Sequence, residues 1–209
     1  MFSIALPKGR LARDVGQLLA DTPYELPTDP DKTRKLIIEL PERGLRYILV
    51  KPSDVGVYVA RGVCDVGIIG KDVLSEEETD VFELLDLKAG ACTLCVAAPT
   101  GFEEDTDRAL RVATKYPNLT RNYYQSIHRE TEIIRLSGSI EVAPLLSLSD
   151  VIVDLVQTGT TLRENNLEVR EKILHSSARL IANKSSYRFR QKEIRALADA
   201  LREKTEQNA

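Results

Sequence analysis

Only two histidines and three cysteines occur among the 209 residues. Histidine is the commonest metal ligand, so this scarcity argues against a histidine-centred metal site. His128 is expected on an amphipathic helix and His175 in a strand, both in structural roles. An odd, sparse set of cysteines does not build a disulfide framework. Cys92 and Cys95 form a C-x-x-C with no second pair at zinc spacing, and read as buried strand residues. Basic excess is also missing: 29 Lys and Arg face 32 Asp and Glu, a formal net charge of −3. A nucleic-acid binder usually carries a clearly basic face, so that class is disfavoured.

No stretch approaches the ~20 apolar residues that cross a bilayer, so no membrane span is expected. The apolar start breaks at Pro7, and charge follows at Lys8 and Arg10, unlike a secretory signal. A cytoplasmic location is expected. Standard catalytic signatures are absent as well. Gly67-Ile68-Ile69-Gly70-Lys71 lacks the four-residue glycine spacing and the Ser/Thr of a Walker A loop. There is no G-x-G-x-x-G, no H-E-x-x-H and no G-x-S-x-G, nor any internal repeat or low-complexity linker.

What is present is an average globular composition, 43% hydrophobic and 29% charged, with length for one large domain or two small ones. Short β-rich runs alternate with helical periodicity, the pattern of an α/β fold with largely parallel sheets. Residues 2–6 read as a strand and 11–20 as a helix with Leu11, Val15, Leu18 and Leu19 on one stripe. Pro23, Pro27 and Pro30 exclude regular structure from the following loop. Residues 36–40 and 47–51 read as strands, and Ser53 as the N-cap of a helix ending at Arg61 and closed by Gly62. Strands are expected at 65–70, 81–87 and 91–98, a helix at 105–116 stopped by Pro117, and a strand at 119–125. Ser126 is expected to cap a helix to 136, with residues 139–143 extended. Residues 150–156 are the most strand-like run, residues 167–182 are extended in character, and 188–206 form an amphipathic helix. With no flexible linker, any two lobes are joined by structured crossings near residues 90 and 175.

The segment that carries chemistry is Asp154-Leu155-Val156-Gln157-Thr158-Gly159-Thr160-Thr161-Leu162. An apolar strand delivers the chain to a turn with one glycine and three threonines, and a helical start follows. Backbone N–H groups of such a turn and threonine hydroxyls are donors for an anion, and Gly159 permits close approach. The loop lacks lysine, which suits a phosphate monoester held by hydrogen bonds. Asp154 stands at the carboxyl end of its strand, where ligands of open α/β sheets bind. A carboxylate there serves ribose hydroxyls or positions a magnesium ion.

Those residues closely resemble the phosphoribosyl pyrophosphate loop of the ATP phosphoribosyltransferase family. Ile4-Ala5-Leu6-Pro7-Lys8-Gly9-Arg10-Leu11 is similar to that family's opening. Lys51-Pro52-Ser53-Asp54-Val55 and Gly62-Val63-Cys64-Asp65-Val66-Gly67-Ile68-Ile69-Gly70 resemble its second block. Ala113-Thr114-Lys115-Tyr116-Pro117 and Gly138-Ser139-Ile140-Glu141-Val142-Ala143-Pro144 resemble its third and fourth. One departure is Glu164-Asn165-Asn166-Leu167, where the family usually has Ala-Asn-Gly-Leu. Asparagine tolerates left-handed backbone best among non-glycine residues, so the turn should survive.

The resemblance implies two α/β lobes with a central cleft, like type II periplasmic binding proteins. The first is assigned to residues 1–90 with 176–209, and the second, carrying the loop, to 91–175. Its length implies the short form, a homodimer within a hetero-oligomer that includes a regulatory subunit resembling histidyl-tRNA synthetase. The implied reaction is attack of adenine N1 of ATP on C1 of phosphoribosyl pyrophosphate, with Mg²⁺ bound mainly through the pyrophosphate. The implied catalytic set is Asp154, Glu141 and Arg10. Gln157, Thr158, Gly159, Thr160 and Thr161 are expected to hold the 5-phosphate. Lys8, Gly9 and Lys51 are assigned to substrate phosphates, and Asp65 and Gly67, at a strand end facing the cleft, to the nucleotide. The acidic run Glu76-Glu77-Glu78 reads as solvated surface. The competing readings are a non-catalytic two-lobed ligand-binding protein and, more weakly, a structural partner in a larger complex.

Overall fold

The computed structural model describes residues 1–30 and 32–207. Residues 208 and 209, the end of the expected first lobe, lie outside the described residues. In chain order the elements are β1 (Phe2–Pro7), α1 (Arg10–Leu19), β2 (Ile37–Leu40), β3 (Leu45–Val50), α2 (Pro52–Ala60), β4 (Val66–Gly70), α3 (Lys71–Glu76) and β5 (Phe82–Asp86). There follow β6 (Cys92–Pro99), β7 (Leu110–Thr114), α4 (Pro117–Ser126), β8 (Thr131–Arg135), α5 (Val142–Leu145), β9 (Val151–Val156), α6 (Thr160–Glu164) and β10 (Leu167–Ser176). The chain closes with β11 (Ala178–Ala182), α7 (Lys184–Phe189) and α8 (Gln191–Gln207). Two compact units result: Met1–Ala91 with the chain from Ser177 onward, and Cys92–Ser176.

The first unit holds a sheet ordered β2-β3-β1-β4-β11-β5. β1 lies between two parallel neighbours, which is why all six of its residues are buried and apolar residues predominate. Alternation sends Ile4 and Leu6 to the face covered by α1 and α8, and Ala5 to the face covered by α2. On α1 the buried residues Ala12, Val15, Leu18 and Leu19 form one stripe. The second unit holds a sheet ordered β10-β6-β9-β7-β8. One face packs on α4 through Val112, Val153 and Tyr124; the other gathers Ala97, Ala113, Ile152, Ala143 and Leu162 under α5 and α6.

Several expectations are corrected. Both sheets are mixed rather than largely parallel: β2, β5 and β11 run antiparallel to their neighbours in one, β6 and β10 in the other. Strand direction follows from how the chain crosses and returns, which local pattern does not encode. Residues 105–136 hold strand, helix, strand instead of helix, strand, helix. Pro117 occupies the first turn of α4 rather than stopping a helix, because its missing N–H would be unpaired there anyway. Ser126 ends that helix, its hydroxyl donating to the Tyr123 carbonyl at 2.6 Å. His128 therefore sits in the following turn, at φ +56, and not on a helix. Pro52 likewise starts α2 two residues early, making Lys51 and not Ser53 the N-cap. Residues 142–145 are a helical turn, which overlaps the end of the segment 139–143 expected to be extended.

Candidate functional site

The second unit builds its candidate site at the carboxyl end of β9. β9 pairs in parallel with β7 in the register Thr114↔Val153, which brings Lys115 beside Asp154. Thr114 is fully buried; its hydroxyl donates to the Val153 carbonyl at 2.8 Å and accepts from the Tyr116 N–H at 2.9 Å. That fastens the two strand ends one residue before the acid. Asp154 shares the parity of Ile152, so it lies on the face under α5 and α6, opposite Cys95 of β6.

Burial pushes the Asp154 carboxyl from 3.8 up to about 6, against the Leu155 N–H that donates to Oδ1 at 2.8 Å. The charge of Glu141, which opens α5, pushes it the same way, and Lys115 opposes. Glu141 is thus near enough for its charge to be felt at Asp154. An acid raised this far by desolvation at the carboxyl end of a strand is a functional candidate on physical grounds.

Gln157 and Thr158 lead from β9 to Gly159, which adopts φ +73, ψ 6 and caps α6. A side chain is disfavoured there, and its Cβ would crowd Arg163 Nη1 at 3.2 Å. Thr158 Oγ1 and Thr160 Oγ1 hydrogen-bond each other at 3.1 Å, and Thr161 is exposed beside them. Two participants in this edge were not anticipated. Arg163 reaches back from α6 to the Thr158 carbonyl and the Thr160 hydroxyl, each at 3.2 Å. Its i, i+3 offset from Thr160 was the available signal. Lys115 was quoted within a motif, yet its position next to Asp154 depends on the β7–β9 register. The substituted turn does take the left-handed form, with Asn166 at φ +54.

In the first unit, Lys8 and Lys51 follow the paired ends of β1 and β3, in the register Pro7↔Val50. The Lys8 N–H donates to the Val50 carbonyl at 2.8 Å, and its Nζ to the Thr33 carbonyl at 3.3 Å. Gly9 takes φ +90, ψ −155, a backbone region essentially restricted to glycine, and Arg10 then begins α1. Three cations therefore gather at one edge of this sheet.

Asp65 and Gly67 are not among them. Asp65 precedes β4 and so stands at the opposite, amino-terminal edge, bonded to Ser3 at the start of β1. Its carboxylate accepts from the Ser3 N–H at 2.8 Å and the Ser186 hydroxyl at 2.7 Å, with Arg190 Nε at 3.4 Å. This is a clamp between β1 and α7. Gly67 is fully within the sheet, and a Cβ there would lie 2.8 Å from Val59 Cγ2 and 2.9 Å from Val55 Cγ1. Its role is close packing of α2. Neither residue lies at the sheet edge where Lys8, Arg10 and Lys51 gather, the edge at which both were expected.

Cys64, Cys92 and Cys95 are buried and in no disulfide, the role expected of the C-x-x-C. Among the described residues, no group of three or more His, Cys, Asp and Glu is gathered to hold a metal ion. No described helix is long and apolar enough to cross a membrane.

Comparison with known proteins follows the same line. A profile of the ATP phosphoribosyltransferase family matches residues 51–203. An ATP phosphoribosyltransferase from Brachyspira hyodysenteriae is 53% identical over 204 residues, covering 97% of this chain and 99% of that one. One from Geobacillus kaustophilus is 50% identical over 96% of this chain and 97% of its own. A chain of the ATP phosphoribosyl transferase (HisG:HisZ) complex from Thermotoga maritima superposes with TM-score 0.87 at 33% identity, over 99% of this chain and all of that one. The periplasmic aliphatic sulphonate binding protein SsuA from Escherichia coli shares the fold at TM-score 0.60 and 9% identity, over 98% of this chain and 72% of its own. On these grounds, the chain belongs to the ATP phosphoribosyltransferase family.

Proposed function

We propose that the chain transfers the 5-phosphoribosyl group of phosphoribosyl pyrophosphate to N1 of ATP and releases pyrophosphate, the first step of histidine biosynthesis. The carrying observation is a desolvated acid, Asp154, one turn of chain before a threonine–glycine loop, in a member of this family. Adenine N1 already has its lone pair, so the reaction needs neither a protein nucleophile nor a strong base. Catalysis rests on aligning two substrates and stabilising positive charge at C1 as the pyrophosphate departs.

In this reading the Asp154 carboxylate accepts hydrogen bonds from the ribose hydroxyls, and with Glu141 places negative charge near the developing cation. Gln157, Thr158, Gly159, Thr160 and Thr161 take the 5-phosphate. Lys8, Arg10 and Lys51 neutralise substrate phosphates, with Gly9 allowing backbone approach. Mg²⁺ arrives with the substrate, where pyrophosphate oxygens suit a hard cation, and improves the leaving group.

The likeness to a chain solved in a HisG:HisZ complex supports a second, regulatory subunit of the kind that resembles histidyl-tRNA synthetase. We assign this chain to the short form, a homodimer within that hetero-oligomer. A cytoplasmic location goes with this reading, and three cysteines in no disulfide fit a reducing compartment.

The test is coupled pyrophosphate release with purified chain, ATP, phosphoribosyl pyrophosphate and Mg²⁺, omitting each substrate in turn. Release that requires both supports the transferase. No release, even with the regulatory subunit added, favours a non-catalytic ligand-binding protein.

A further inference from the structure

The loop after β9 contains acceptors as well as donors, and an anion site cannot leave acceptors facing the ligand. Two of them are the Thr158 carbonyl and the Thr160 hydroxyl oxygen. Both are taken by one side chain, Arg163: Nη1 donates to Thr158 O and Nη2 to Thr160 Oγ1, each at 3.2 Å. The two contacts straddle Gly159, whose left-handed backbone brings them within reach of a single guanidinium fork.

Each contact has a directional consequence. Across a trans peptide, the carbonyl of one residue and the N–H of the next point in opposite directions. Holding the Thr158 carbonyl on the Arg163 side therefore turns the Gly159 N–H away from it, as a free donor. A hydroxyl has two lone pairs and one hydrogen. Arg163 fills one lone pair of Thr160 Oγ1; either hydroxyl of the Thr158–Thr160 pair can donate across their 3.1 Å contact, and when Thr158 donates, the Thr160 hydrogen is left to point outward.

We propose that Arg163 is a positioning residue that sets the donor polarity of this loop, drawing its acceptors onto the guanidinium so that a phosphate monoester meets donors. The proposal rests on the loop reading above and adds the group that prepares the loop before substrate arrives. Arginine is required because two acceptors must be bridged at once by a planar fork; a lysine ammonium supplies charge without that geometry.

The test is direct titration of phosphoribosyl pyrophosphate with Mg²⁺ into the full-length chain, as wild type, Arg163→Met and Arg163→Lys. The KM for each substrate and the thermal midpoint are measured in parallel. Arg163 is exposed, so the fold should persist. Both variants are expected to bind phosphoribosyl pyrophosphate about tenfold or more weakly, with the KM for ATP changed less than about twofold and the midpoint unmoved. Wild-type affinity in Arg163→Lys would show that charge alone suffices and overturn the proposal. Wild-type affinity in Arg163→Met would overturn it too. If the wild-type chain itself fails to bind phosphoribosyl pyrophosphate, the loop reading falls first and the role of Arg163 falls with it.

Discussion

Replacing Asp154 with asparagine should stabilise this protein while disabling it. Burial raises the carboxyl from 3.8 to about 6, so at neutral pH the folded chain carries an ionised group that its surroundings disfavour. Shifting a carboxyl from 3.8 to about 6 corresponds to about 3 kcal/mol, at about 1.36 kcal/mol per pH unit. Between pH 4 and 6 the folded state binds more protons than the unfolded one, so wild-type stability falls as pH rises through that window. Above it the full penalty applies; below it the penalty vanishes. Asparagine removes the charge and the repulsion from Glu141, and its side-chain oxygen still accepts from the Leu155 N–H.

The assay is the thermal midpoint of wild type and Asp154→Asn at pH 4 and pH 8. At pH 8 the variant should melt higher, by up to about 10 °C if the whole 3 kcal/mol is recovered, since about 2–4 °C accompanies each kcal/mol at this size. At pH 4 the two curves should coincide. A variant that is less stable at pH 8, or a gap independent of pH, refutes the claim that Asp154 is a strained, desolvated acid. A site residue that weakens its own fold is consistent with retention for function.

Other perturbations discriminate among the remaining assignments. Thr161→Val should weaken phosphoribosyl pyrophosphate binding at least about tenfold in calorimetric titration while circular dichroism stays unchanged. Lowering the pH below about 6 should weaken the same ligand in wild type as Asp154 takes up a proton, and a flat titration of affinity against pH would contradict the ribose role. Asp65→Ala should lower stability by about 1–3 kcal/mol in urea unfolding by orphaning the Ser3 N–H and the Ser186 hydroxyl, yet leave both KM values alone. Gly9→Ala should cost about 1–3 kcal/mol, because φ +90 with ψ −155 admits little but glycine, and should raise KM as the turn before Arg10 relaxes.

Where one local pattern dominates, sequence and structure agree. β1 and β9 are mostly apolar runs lying between neighbouring strands, and α1 shows a single buried stripe, so each was legible from local pattern. The strand–turn–helix course of the loop was legible because an apolar strand runs into Gly159, which caps α6 in the left-handed form, and Asn166 adopts the left-handed backbone its type permits. Residues 105–136 were misread because a proline after a tyrosine marks a helix start as readily as a stop. Tyr123 and Tyr124 also favour strands in isolation, yet in α4 Tyr124 fills the core. Asp65 was misplaced because a short apolar run does not reveal which of its ends lies at the ligand-binding edge; only the pairing with β1 does. Arg163 escaped notice for a related reason: its guanidinium acts residues upstream of its own Cα, on a loop whose shape had first to be known.

The central claim is that a bond forms between C1 of the phosphoribosyl group and N1 of ATP. ATP labelled with ¹⁵N at N1 and phosphoribosyl pyrophosphate labelled with ¹³C at C1 would report that bond directly by NMR. The account predicts a product with one-bond carbon–nitrogen coupling between the two labels, formed as pyrophosphate appears. Pyrophosphate release with an uncoupled ¹³C signal at C1, as from hydrolysis to ribose 5-phosphate, would contradict it.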